Sequence, residues 1–84
     1  MADLYVGVDV SKDYLDVATS DGTSLRVSND EAGQQQLVAH FSATPPALVL
    51  MEATGGLERT IAAQLSAAGI VLRIINARHV RHFA

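Results

Sequence analysis

Two acids fall where chemistry could be done. Asp9 sits near the end of an apolar, β-branched run over residues 4–10, and Glu52 ends a second apolar run over residues 47–52. In extended chain, Tyr5, Gly7 and Asp9 point to one face, as do Leu48, Leu50 and Glu52. If the two runs are parallel neighbours, their backbones lie ~4.8 Å apart, and both acids sit near the carboxyl ends of central strands, where open α/β sheets place ligands. Carboxylates that close repel unless a proton or a cation lies between them. Magnesium takes oxygen ligands, keeps several waters and often shares substrate phosphate. Paired ions ~3.5–4 Å apart can activate an attacking oxygen and stabilise a leaving one in phosphodiester chemistry. Taken singly, Asp9 reads as a turn former and Glu52 as a solvated strand end; their pairing is what favours the cation.

Other polar residues are weighed against plainer roles. Lys12 follows Asp9 and could reach a nucleic-acid phosphate, although an exposed turn lysine fits equally well. Thr54-Gly55-Gly56 could offer backbone N–H groups to an anion at a helix start; a tight turn with Thr54 as cap is the stronger reading. Glu58, in the first helical turn, reads as structural. Arg78 and Arg81 share a helix face and could track a phosphate backbone, or simply be solvated. His79 and His82 have a similar spacing but no nearby third ligand for a metal site. His40 reads as a helix-surface residue.

The whole 84-residue chain is expected to be one domain or part of one. Its core is necessarily thin, since a chain of about 60 residues buries only ~60% of its unfolded surface. Hydrophobic residues make up 49% and mean hydropathy is +0.21, a surplus that implies apolar surface to be covered by something else. With no cysteine, disulfides and thiolate metal sites are excluded. The first ten residues lack a basic leader and carry Asp3 and Asp9, so neither a signal peptide nor a membrane span is expected, and the plain expectation is a cytoplasmic protein. A net charge of −3 argues against nucleic-acid binding by bulk electrostatics alone, but Arg73, Arg78 and Arg81 gather near the end while most acids precede Glu58.

The elements that must carry the acids follow from pattern. Residues 4–10 and 14–19 read as strands joined by a short polar turn, and Asp21-Gly22 signals a tight turn into a third strand over 24–27. Ser28 and Glu31 fit a capping box for a helix over about 30–41, with Leu37, Val38 and Phe41 inward. Residues 47–52 read as a central parallel strand. Residues 57–68 have helical spacing, with Leu57, Ile61, Leu65 and Ala68 on one face and Gly69 as C-cap. Residues 70–75 form a fifth strand, and Ala77 starts a further helix. A meander followed by right-handed crossovers predicts a mixed α/β sheet in the order 3-2-1-4-5, strand 2 alone antiparallel, with helices on both faces.

Four segments carry a family resemblance: Tyr5-Val6-Gly7-Val8-Asp9-Val10-Ser11-Lys12, Val27-Ser28-Asn29-Asp30, Met51-Glu52-Ala53-Thr54-Gly55-Gly56, and Asn76-Ala77-Arg78-His79-Val80-Arg81-His82-Phe83-Ala84. In this order and spacing the chain resembles the amino-terminal region of DEDD-type insertion-sequence transposases, whose nuclease domain is related to the Holliday-junction resolvase RuvC. The resemblance covers nearly the whole chain. It implies a ribonuclease-H-like fold with four metal-binding acids in the order Asp, Glu, Asp, Asp, Asp9 matching the first and Glu52 the second. It also implies Mg²⁺ or Mn²⁺ as cofactor, DNA as substrate, a structured guide RNA and action as a homo-oligomer. The last two Asp residues, the closing helices, a coiled coil and a separate catalytic-serine domain are expected beyond Ala84, so residues 1–84 are expected to be an incomplete, inactive portion of the nuclease domain. Ala77 stands where many relatives have Pro, and His82 where an acid is frequent, which leaves the last helix and its local charge open.

Two other functions compete. An actin-like or sugar-kinase ATPase half shares the meander-then-crossover start, but such domains set a Gly-rich phosphate turn after the first Asp, where this chain has Val10-Ser11-Lys12. A non-enzymatic dimerising module would account for the high apolar content and the absence of further acids.

Overall fold

The computed structural model describes residues 3–52 and 54–75. Five strands and two helices alternate as β1 (Tyr5–Val10), β2 (Tyr14–Thr19), β3 (Ser24–Ser28), α1 (Glu31–Ala43), β4 (Leu48–Glu52), α2 (Arg59–Ala67) and β5 (Leu72–Ile75). The strands form one sheet in the order β3-β2-β1-β4-β5. β1–β2 and β2–β3 pair antiparallel, β1–β4 and β4–β5 parallel, so β2 alone runs against the rest.

Local chemistry explains the meander. Ser11 closes the first hairpin, its N–H and Oγ donating to the Tyr14 carbonyl at 2.9 and 3.0 Å. At the second, Gly22 adopts φ +93°, open to glycine at little cost, and Asp21 Oδ1 accepts from Thr23 N–H at 2.9 Å. The N-terminus of α1 differs from the capping-box expectation. Asp30, not Ser28, is the N-cap; its Oδ1 accepts from Gly33 N–H at 2.9 Å and from the Ser28 hydroxyl at 2.7 Å. Because β3 extends to Ser28, that residue cannot also cap, and it orients the carboxylate that does. At the other end of the chain, α2 stops in a Schellman arrangement: Gly69 (φ +82°) N–H donates to Ser66 and Ile70 N–H to Leu65. Leu57 and Ala68 fall outside α2 and are exposed, leaving Ile61, Ala62 and Leu65 as its buried face.

Both described helices pack on one face of the sheet; the further helix expected from Ala77, on which the reading of helices on both faces also depends, lies outside the described residues. Chain handedness puts α1 and α2 on a common side. The β3-to-β4 and β4-to-β5 crossovers travel in the same direction across the sheet, and right-handed crossovers in one direction lay their helices on the same side. The core lies beneath them: Val6, Val8 and Val10 of β1, Leu15 and Val17 of β2, and Val49 and Met51 of β4 meet Leu37 and Phe41 of α1 and Ile61 and Leu65 of α2. A polar relay ties this layer to the first hairpin: Gln64 Nε2 donates to Gln34 Oε1, Gln34 Nε2 to Asn29 Oδ1, and Asn29 Nδ2 to the Ser11 carbonyl. The opposite face carries no described helix. Tyr5, Tyr14 and Leu50 stand exposed there.

Candidate functional site

The acids sit on the face that carries no described helix. In β1 the burial alternates, with Val6, Val8 and Val10 inward and Tyr5, Gly7 and Asp9 outward; in β4, Val49 and Met51 are inward and Leu50 and Glu52 outward. β1 and β4 are direct parallel neighbours paired through Val8 and Met51, which puts Asp9 and Glu52 one step further on, side by side at the carboxyl ends of their strands. Both line one shallow concavity on this face, with Gly7 and Leu50 on its floor. Both side chains are solvent-exposed.

One more acid lies in this row, and the sequence reading missed it. Asp16 of β2 is the register partner of Asp9, and Arg26 of β3 is the partner of Asp16. The row across the sheet therefore reads Arg26, Asp16, Asp9, Glu52, Ile75. Arg26 grips Asp16 with two prongs, Nε to Oδ1 at 2.6 Å and Nη2 to Oδ2 at 3.2 Å. The guanidinium also lies 4.4 Å from the Tyr14 ring centroid. The Asp16 carboxylate beside it holds the Arg26 proton more firmly than usual. Among the described residues no group of three or more acids or histidines converges as a ready-made cation site. The sequence signal for this pair was weak, since Asp16 and Arg26 look like ordinary outward residues of half-buried strands until the register is known.

Lys12 is exposed on the β1–β2 turn, at the same end of the sheet as Asp9. The Thr54-Gly55-Gly56 turn is organised from within. The buried Glu58 carboxylate accepts from Thr54 N–H at 2.7 Å, Gly56 N–H at 3.2 Å and Thr54 Oγ1 at 3.4 Å. The Thr54 N–H, aided by that of Gly56, holds the Glu58 carboxyl below the usual glutamate range. Those two donors are thus engaged by the chain's own acid, which favours the structural reading of this turn over an anion cradle. Arg78, Arg81, His79, His82 and the helix expected from Ala77 lie outside the described residues.

Fold and placement together define the class: a meander continued by two parallel crossovers, in the order 3-2-1-4-5, is the sheet of a ribonuclease-H-like domain. A family model for DEDD-type transposases of the IS110 insertion-sequence group, described as Transposase, matches residues 6–84, and the chain belongs to that family. Its substrate class is accordingly DNA. No curated protein matches the chain. No described helix is long and apolar enough to cross a membrane.

Proposed function

We propose that residues 1–84 are the amino-terminal portion of a transposase nuclease domain in which Asp9 and Glu52 hold Mg²⁺ or Mn²⁺ for cleavage and transfer of DNA strands. The observation that carries this reading is the side-by-side placement of the two carboxylates at the ends of adjacent parallel strands, on the face that carries no described helix. The donor set fits. Two exposed carboxylates supply the hard oxygen ligands that these ions prefer and leave coordination positions for water and a substrate phosphate. A bound ion would supply charge stabilisation and an activated oxygen for phosphodiester chemistry. The chain's own residues orient that chemistry. The rigid β1–β4 pairing fixes the spacing of the acids, and the open concavity admits a strand of DNA. Lys12, at the same end of the sheet, provides a positive charge for its backbone.

Arg78 and Arg81, outside the described residues, are proposed as further phosphate-backbone contacts. The working protein acts as a homo-oligomer and with a guide RNA, as the resemblance implies, and in the cytoplasm, as the plain reading of the sequence has it. With two of the four implied acids, the 84 residues alone bind the ion weakly and do not cleave DNA. The test is calorimetric titration of Mn²⁺ into the chain and its Asp9→Asn and Glu52→Gln variants, alongside DNA strand transfer by the transposase that carries this domain, with the same changes. Loss of both binding and transfer is expected. Unaltered transfer in either variant would remove that residue from the role given to it.

A further inference from the structure

We propose that Arg26 is a positioning residue that withholds Asp16 from the cation site, so that the site works with two strand carboxylates instead of three. The inference rests on the cation reading of Asp9 and Glu52. Asp16 is the cross-strand partner of Asp9 on the same face and lines the same concavity. Such partners have Cβ atoms about 4.5–5.5 Å apart, within the span that a cation bridges between two carboxylates. Left unpaired, Asp16 would place a third carboxylate against Asp9. Arg26 occupies both of its oxygens through a forked contact. That geometry suits guanidinium and not ammonium. Arg26 is itself held from a second side by stacking over Tyr14, so its fork is aimed before any cation arrives. One strand ligand fewer leaves one more coordination position for water or substrate phosphate beside the further acids that the resemblance implies.

The test is a double-mutant cycle on cation binding, because a bare change in local charge and the release of a ligand differ in their coupling. Mn²⁺ affinity is measured by calorimetry, and the waters on bound Tb³⁺ are counted from its luminescence lifetimes in H₂O and D₂O. Arg26→Gln should bind Mn²⁺ at least fivefold more tightly than the parent chain, with one fewer water on Tb³⁺. Asp16→Asn alone should change affinity less than twofold. Adding it to Arg26→Gln should abolish the gain and restore the water. Arg26→Lys, which keeps the charge and loses the fork, should fall between Arg26→Gln and the parent. Equal weakening by Asp16→Asn in both backgrounds, or an unchanged water count in Arg26→Gln, overturns the proposal while leaving Asp9 and Glu52 as ligands. Full-strength Mn²⁺ binding by Asp9→Asn overturns the cation reading itself, and this inference with it.

Discussion

Gly33 offers the sharpest test of how the site's scaffold is joined. It lies in the first turn of α1, and a Cβ built there would collide with the carbonyl oxygen of Ser28 and come within 2.7 Å of that residue's carbonyl carbon and Oγ. Ser28 ends β3, so the collision is with the chain's own backbone five residues earlier, and no side-chain rotation relieves it. Gly33→Ala must either pry α1 from β3 or break the Asp30 cap, whose Oδ1 accepts from the same residue's N–H. Overpacking of this kind costs roughly 1–3 kcal/mol, toward the upper end where backbone must move. Alanine returns about 1 kcal/mol in helix propensity. A net loss of about 2 kcal/mol follows, and in a domain of this size each kcal/mol shifts Tm by roughly 4–8 °C. Thermal and urea unfolding followed by circular dichroism should therefore show Tm lower by about 8–16 °C. Gly7→Ala is the matched control. Nothing lies within 4 Å of its Cβ position, and replacing a mid-strand glycine should gain about 0.5–1 kcal/mol. A Gly33→Ala protein as stable as the parent would show that the β3–α1 joint is not close-packed.

Two further outcomes concern the acids. Asp9→Asn removes the middle of three neighbouring carboxylates, between Glu52 and the Arg26-paired Asp16, so the cation-free protein should gain about 0.2–1 kcal/mol in urea unfolding, while losing the rise in Tm that Mn²⁺ gives the parent; a cation-free variant less stable than the parent would deny the repulsion. Glu58 has a folded-state pKa below its unfolded value, so its contribution is whole above the ordinary glutamate value of about 4.3 and disappears as pH falls through the lower folded value. Glu58→Gln should accordingly be less stable at neutral pH and lose stability less steeply on acidification, and an unchanged acid limb in unfolding titrations would contradict the assigned hydrogen bonds.

The parts of the fold legible in sequence were those written in period and punctuation. Alternation in residues 4–10 and 14–19, the Asp21-Gly22 turn and the apolar run ending at Glu52 are enough, with right-handed crossovers, to place Asp9 beside Glu52. The common side of α1 and α2 follows in the same way from the shared direction of the two crossovers. Cross-strand partners are a different matter. Asp16 meets Arg26 only once β2 and β3 are in register, and a one-residue slip would send both to the other face. The close approach at Gly33 depends likewise on where β3 stops, at Ser28, with the helix cap two residues further on at Asp30.

The one-sided placement of the helices has an architectural corollary. Leu50, Ile75 and Tyr5 share their surface with Asp9 and Glu52, so the greasy half and the charged half of this sheet cannot be roofed independently. Any segment or neighbour that shelters the former must arrive over the latter's doorstep. Covering the apolar part of this face and covering its two carboxylates thus become a single step, and a defect in one should surface as a defect in the other.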